Sequence, residues 1–314
     1  MQMAGNLSRV LPRKPGMAFP AAQQGRFASS GKPETKVGRD DLGYPARLRG
    51  IPAAPKSLWF RGRLPAAQER VFAIVGARAA TAAGCERSHA IAFALGGAGA
   101  AIVSGGAFGI DAAAHEGAMA SGAATFAVLG CGTDVVYPDR HAKLFVRIAA
   151  SGGLLSEYPP GTPPRAGQFP ARNRIIAGLA DGVIVVEAAL RSGALITARL
   201  GRDLGRPLFA VPGSPGTDAL VRAGRAFPAT SAVEILNLMA NPCLEVAIAP
   251  PPCAPDPIAA IMDAIAAGAN NPADLCKRTG MALPAVLAIL AEAELEGFVK
   301  RAAGNTYEVN QRAC

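Results

Sequence analysis

Residues 71–111 run Val-Phe-Ala-Ile-Val (71–75), Gly-Ala-Arg (76–78), a helical stretch near 83–95, Ala-Ile-Val-Ser (101–104), Gly-Gly-Ala-Phe-Gly (105–109) and Ile-Asp (110–111). Each apolar run is too short for a helix and does not alternate with polar residues. Such a run reads as a strand buried on both faces. A small-residue turn follows each strand, and a helical pattern follows each turn, which is the grammar of parallel strands joined by crossover helices. The same unit recurs around Thr125–Leu129, Leu154–Glu157, Asp181–Glu187 and Pro207–Val211. The expected fold is α/β: an extended Rossmann-like, doubly wound, mostly parallel sheet. Ligands of such sheets sit outside the carboxyl ends of the strands. Gly76–Arg78, Ser104–Gly109, Gly130–Gly132, Glu157–Gly161 and Ser192–Thr197 should therefore line one crevice.

Within that frame residues 169–200 are the most chemical part of the chain. They set Phe169 beside Arg172, Asn173 and Arg174 at the start of a helix, then a strand, then a Ser192–Gly193 turn that opens another helix. Helix N-termini present unpaired N–H groups and a positive dipole end, and so meet anions. An aromatic face beside arginines and such turns is the chemistry of single-stranded nucleic acid binding. Gly76 leads to Arg78, whose guanidinium suits bidentate phosphate contact or a surface carboxylate. Lys143, after Tyr137-Pro138-Asp139-Arg140-His141, reaches either a phosphate or solvent, and Arg199 either the crevice or solvent.

Charge is unevenly spread. Residues 1–65 carry 12 Lys/Arg against 3 Asp/Glu, residues 66–250 carry 15 against 13, and residues 251–314 carry 5 against 7. The basicity belongs to the N-terminal segment, so an anion site in the core must come from local clustering. Six cysteines are scattered without a C-x-x-C pair, which argues against a zinc site or disulfide framework and for a reducing cytosol. No secretory signal is legible in 1–40. Ser88–Ile110 lacks charged side chains, but its six glycines divide it into helix, turn and strand rather than a membrane span.

The chain organises into a basic, disordered arm (1–43), the Rossmann-like domain (44–241), a Pro-rich linker (242–255) and a small winged-helix-like domain (256–311). In the last, Asp256-Pro257 starts the first of three helices, and a hairpin turns at Gly304-Asn305. Its third helix carries Glu292, Glu294 and Glu296 and no basic residue, so it should pack on its own chain or meet a protein rather than a DNA groove. Several enzymatic readings fail on spacing. There is no G-x-G-x-x-G, no H-E-x-x-H at His115-Glu116, and no G-x-S-x-G elbow. Asp111 and His115 lie four apart and read as a structural pair, and Cys131 as a small buried thiol. No cofactor or metal is expected.

In order along the chain stand Ile-Val-Gly-Ala-Arg (74–78), Ser-Gly-Gly-Ala-Phe-Gly-Ile-Asp (104–111), Tyr-Pro-Asp (137–139) and Ser-Glu-Tyr-Pro (156–159). Phe-Pro-Ala-Arg-Asn-Arg-Ile-Ile-Ala-Gly-Leu (169–179), Ser-Gly-Ala-Leu-Ile-Thr-Ala (192–198) and Phe-Ala-Val-Pro-Gly (209–213) follow. This series resembles the DNA-processing protein A (DprA/Smf) family over about residues 44–230, and the tail resembles that family's winged-helix module. The resemblance implies a non-enzymatic, cytoplasmic homodimer that binds single-stranded DNA and loads the RecA recombinase onto strands entering in natural transformation. Carried over by motif, the DNA-contact set is Arg78, Phe169, Arg172, Asn173 and Arg174, with Gly76, Lys143, Arg165 and Arg199 as added candidates; Arg165 is the nearest basic residue before the Phe-Pro, with Gly167-Gln168 between. The Gly105–Gly106 and Ser192–Gly193 turns would receive phosphates. The alternative is a nucleotide-processing enzyme such as a nucleoside monophosphate phosphoribohydrolase, with Glu157 or Glu187 as its carboxylate.

Overall fold

The computed structural model describes residues 34–240, 257–295, 299–302, 304 and 306–309. The chain divides into two compact units, Met1–Ile248 and Ala249–Cys314. Two expectations, the Pro-rich linker and the Asp256 cap, fall outside the described residues, as do Glu296 and the first 33 residues of the arm.

The first unit starts with β1 (Thr35–Gly38), α1 (Ala46–Arg49), β2 (Ser57–Gly62), β3 (Val71–Val75), α2 (Ala82–Gly97), β4 (Ala101–Ser104) and α3 (Ile110–Ala120). It continues with β5 (Thr125–Val128), a 3-10 turn at Asp139–His141, α4 (Ala142–Ser151), β6 (Gly153–Ser156), α5 (Gln168–Leu179), β7 (Gly182–Val185) and α6 (Gly193–Asp203). β8 (Leu208–Ala210), α7 (Pro215–Arg222), β9 (Phe227–Pro228) and α8 (Ala232–Ala240) complete it. Among the described residues these strands form one nine-stranded sheet in the order β1-β2-β6-β5-β4-β3-β7-β8-β9. From β6 to β9 every pairing is parallel, while β2 lies antiparallel to β6 and β1 antiparallel to β2. The sheet is doubly wound, with its order reversing at β3, and the strands that read as continuous apolar runs are buried on both faces. One face packs Val71, Val103, Phe126 and Val183 against α5 and α6 residues such as Ile175 and Ala198. The other packs Phe72, Ile74, Ile102 and Ile184 against Ile91, Leu95, Ile110 and Ala114 of α2 and α3.

The expected disorder of 1–43 is corrected at its C-terminal end. Thr35–Gly38 is a strand whose Val37 is buried, and its register pairs Lys36 with Trp59. The Lys36 ammonium lies 5.4 Å from the Trp59 ring centroid, and Glu34 accepts from Arg61 Nε at 3.2 Å. A polar, Gly-flanked segment thus gains order by closing the sheet edge, which composition alone does not reveal. Ser88–Ile110 divides into helix, turn and strand, and among the described residues no helix is long and apolar enough to cross a membrane.

The second unit is a winged-helix domain: α9 (Pro257–Ala266), α10 (Pro272–Thr279), α11 (Leu283–Leu295) and the hairpin β10 (Val299–Ala302) with β11 (Thr306–Val309). Its core joins Ile261, Leu275, Val286, Leu290, Val299 and Tyr307. Asn271 caps α10 by accepting from Asp274 N at 3.0 Å, and Gly280 ends it with φ +71°. On α11, Leu283, Leu287 and Glu294 are exposed.

Candidate functional site

The order reversal at β3 leaves a crevice between the loop after β3 and the elements flanking β7. It encloses about 410 Å³, and its lining includes Gly76, Arg78, Ala107, Asp111, Phe169, Arg172, Asn173, Ser192, Gly193 and Thr197. That volume is in the range of small-ligand sites. Gly76 has to be glycine: a Cβ there would lie 2.5 Å from Ile110 Cγ1 and 2.9 Å from the Glu187 carbonyl oxygen. Ala77 N donates to that same carbonyl at 2.7 Å, which ties the β3 loop to the end of β7. The Glu187 carboxylate accepts from the Thr81 hydroxyl at 2.7 Å, and Thr81 in turn caps α2 by accepting from Gly84 N at 3.0 Å. One wall is thus fixed by backbone and caps rather than by long side chains.

Arg78 stands exposed on this wall with its guanidinium carbon 5.6 Å from the Phe169 ring centroid. Among the described residues no carboxylate pairs with it in a salt bridge. Phe169 is half-buried at the start of α5, against Gly130 and 5.3 Å from the Tyr137 ring. Opposite, Ser192 caps α6 by accepting from Ala194 N at 3.3 Å, and Gly193 is exposed with open space where a Cβ would stand. Asn173 Nδ2 donates to the Gly193 carbonyl at 3.3 Å, which holds the start of α6 against α5.

Six expected contact residues lie differently. Gly105 N and Ala107 N both donate to Asp111 Oδ2, at 3.1 and 3.3 Å. The Gly105–Gly106 turn therefore already holds an anion, an internal carboxylate from the first turn of α3, in place of a phosphate. Gly106 is turned against the Phe145 ring with φ +66°. Arg172 is buried, and its guanidinium donates to the carbonyls of Gly105 (2.7 Å) and Val128 and to Asn173 Oδ1 (3.1 Å). Burial brings its pKa down to about 10, so it stays charged at neutral pH, and burial raises the Asp111 pKa against the pull of Arg172. Arg172 braces the crevice from within. Arg174 points away from it: both terminal nitrogens bind the Glu157 carboxylate, at 2.7 and 2.6 Å, and Nε reaches the Ala53 carbonyl at 2.9 Å. Lys143 is on the exposed side of α4, and Arg199 lines a separate groove with Arg202 and Arg225. Arg165 is exposed one residue before Ala166, at the rim.

Asp111 and His115, the expected structural pair, do not meet. His115 is buried and joins Thr125 Oγ1 through Nδ1 at 2.7 Å, while Asp111 serves the loop. The signal for that role was legible in principle: an acidic residue in the first turn of a helix, just after a Gly-rich loop, can reach back to the loop amides. Nothing in the sequence pointed to His141, whose Nδ1 lies 3.0 Å from the Gly106 carbonyl oxygen. Glu157 and Glu187, the carboxylates of the hydrolase alternative, are both engaged in holding structure. Among the described residues no cluster of three His, Cys, Asp or Glu side chains is arranged to hold a metal.

Cys131 is buried, its thiol contacts the Val135 carbonyl at 3.5 Å, and burial pushes its pKa up to about 12. It should resist alkylation in the native protein at pH 8 and react only on unfolding. Peptide mass spectrometry after a timed maleimide pulse checks this; modification of Cys131 as fast as of the half-exposed Cys85 would refute it.

The model of the family described as DNA recombination-mediator protein A matches residues 36–240, and that of the DprA winged helix domain matches residues 247–305. Protein Smf of Escherichia coli (strain K12) is 37% identical over 294 residues, covering 86% of this chain and 76% of that protein. Protein Smf of Synechocystis is 46% identical over 180 residues, covering 56% of this chain but only 45% of that protein. Among solved structures, DNA processing protein A of Streptococcus pneumoniae superposes with a TM-score of 0.60 at 40% identity, covering 65% of this chain and 73% of that one. DNA processing protein A of Helicobacter pylori, which binds single-stranded DNA, superposes with a TM-score of 0.59 at 32% identity, covering 66% and 95%. With its Rossmann-like unit, its winged helix and its ordered motifs matched together, the chain belongs to the DNA recombination-mediator protein A family.

Proposed function

We propose that this chain binds single-stranded DNA in the crevice and acts as a non-enzymatic recombination mediator, loading the RecA recombinase onto strands taken up in natural transformation. The observation that carries the reading is Arg78: a guanidinium with no carboxylate partner among the described residues, 5.6 Å from the Phe169 ring centroid and lining the same crevice as the open N-terminus of α6. A phosphate on Arg78 with a base on Phe169 uses both, and neither contact reads base edges, so sequence preference is weak. Family membership and the strand-binding Helicobacter pylori relative support it. In this reading the contacts are Arg78, Phe169, Gly76 and the Ser192–Gly193 amides, with Arg165 at the rim. Arg172 and Asn173 hold the walls. A homodimer in the cytoplasm is the working assembly, and RecA its protein partner.

The test is fluorescence anisotropy with oligo-dT and a matching duplex over a salt series. A version beginning at Glu34 removes the basic residues of 1–33 while keeping β1. Each phosphate contact contributes about −0.7 to the slope of log K against log salt. Arg78→Ala should weaken binding and flatten the slope by about that amount, while Phe169→Ala should cost about 1–3 kcal/mol with the slope kept. Affinity that disappears with residues 1–33, or that ignores both substitutions, would overturn the proposal.

A further inference from the structure

Phe108 is 41% exposed in the loop between β4 and α3. A lone exposed phenylalanine is ordinary on a protein surface, but this one is held in a fixed orientation. Its ring meets the His141 imidazole edge-on, with centroids 4.5 Å apart and planes at 70°. His141 is itself buried, joined through Nδ1 to the Gly106 carbonyl at 3.0 Å, and packed edge-on against Phe145 in the core at 5.9 Å. The loop beneath is equally constrained. Asp111 accepts from its Gly105 and Ala107 amides, and Gly109 (φ +71°) sits so close to the 77–78 backbone that a Cβ would lie 2.7 Å from the Arg78 carbonyl oxygen. Phe108 therefore follows a residue that lines the crevice, Ala107, and precedes one that abuts Arg78.

The turn that carries His141 also carries Tyr137, 5.3 Å from the Phe169 ring. One turn, 137–141, thus supports Phe169 in the crevice and Phe108 on the loop at its edge, and the backbone of Arg78 abuts that loop. We infer that Phe108 is a second base-stacking platform: with a backbone phosphate on Arg78, one base stacks on Phe169 and a nearby base of the same strand on Phe108. The inference rests on the crevice being the strand-binding site. Preorientation matters here, because a ring already fixed by His141 loses little rotamer freedom when a base covers it. A phenyl face accepts any base and carries no charge, so its contribution is tolerant of sequence and of salt.

The experiment compares the full chain with Phe108→Ala, Phe108→Leu, Phe108→Trp and Phe108→Arg on two probes: oligo-dT and an abasic strand of equal length that keeps its phosphates. Phe108→Ala and Phe108→Leu should weaken oligo-dT binding about 5- to 150-fold, leave abasic binding within about twofold and leave the salt slope unchanged. Phe108→Trp should restore oligo-dT affinity, with an emission increment over the native Trp59 signal that oligo-dT quenches and the abasic strand does not. Phe108→Arg should steepen the salt slope on both probes. Thermal melts establish that the variants are folded. Phe108→Ala binding oligo-dT like the native protein overturns the inference. So does a loss shared equally by both probes, or Phe108→Leu behaving as native, since those are the marks of loop packing. Native protein that binds neither probe defeats the crevice reading itself, whereas normal native binding with an indifferent Phe108 defeats only this platform.

Discussion

Arg172→Met lowers the stability of the Rossmann-like unit by about 3–5 kcal/mol, the cost of removing one partner from a buried charge network. The guanidinium is buried and donates to two carbonyls of the sheet ends, Gly105 and Val128, while its charge opposes the buried Asp111 carboxylate. Methionine fills the space but strands both carbonyls and leaves Asp111 without its countercharge. Gly105 lies between the two groups, and a Cβ there would fall 2.7 Å from Asp111 Oδ2. At roughly 2–4 °C per kcal/mol for a unit of this size, the melting midpoint falls by about 6–20 °C. Arg172→Lys does not rescue it, since an ammonium cannot fork to two carbonyls and an amide. The double variant Arg172→Met with Asp111→Asn should recover part of the loss, because it removes the orphaned charge along with its partner. Arg174→Met is the contrast. That ion pair is partly buried but keeps contact with solvent, with side chains 19% and 18% exposed, and its loss costs less, about 1–2 kcal/mol. Denaturant titration of the four proteins decides; equal losses for Arg172→Met and Arg174→Met would defeat the account.

The contrast shows where sequence reasoning reaches and where it stops. The strands β3, β4, β5 and β7 were legible because both faces are buried, so composition alone marks them. The crevice followed, since a doubly wound sheet binds at its strand ends. What the sequence could not rank was its arginines. Arg78, Arg172 and Arg174 look alike in one dimension, and only the fold gives one to solvent, one to the interior and one to Glu157. A helix places side chains two apart on different faces, so Arg172 and Arg174 were bound to diverge. The internal partner of the glycine turn was hidden for a related reason. Gly105 and Gly106 offer amides to any anion, and the nearest is an Asp six residues on. The strand β1 was hidden because an edge strand with one buried residue, Val37, carries too little hydrophobic signal to separate from the polar arm before it.

Charge at the crevice is thus mostly cancelled from within. Asp111 occupies the loop amides, Arg172 opposes Asp111, and Glu187 holds the N-terminus of α2. What remains for a ligand among the described residues is the exposed Arg78 guanidinium with Arg165 at the rim, one helix terminus and aromatic surface. Such a site suits a polymer that offers a phosphate and a base per unit better than it suits a compact polyanion, for which the uncompensated charge is small.

Acid should unfold the protein earlier than its carboxylates require, and His115 is the reason. Thr125 Oγ1 donates to the Ile102 carbonyl at 3.1 Å, so it must accept from His115 Nδ1–H at 2.7 Å. The imidazole is then neutral with an unprotonated Nε2, and that atom is buried with no hydrogen-bond partner among the described residues. A proton added there would place a charge in a buried site near His141 and Arg172. Burial first, and those neighbours second, lower the His115 pKa from 6.5 to about 3. The unfolded chain binds this proton below pH 6.5 and the native one does not, so stability is whole above pH 6.5 and declines as pH falls toward 3. The slope approaches 1.4 kcal/mol per pH unit, a loss of about 2 kcal/mol by pH 5. Asp111 works in the opposite sense, because its raised pKa lets the native state take up a proton more readily. Carboxylates with lowered pKa such as Glu69 lose their contribution only below their ordinary range. His115→Leu isolates the histidine: it should cost about 1 kcal/mol at every pH for the lost Thr125 bond, yet flatten the decline between pH 7 and 5. Urea titrations at half-unit intervals give both curves. Parallel curves would mean that His115 is protonated as easily folded as unfolded, and that the acid sensitivity lies elsewhere.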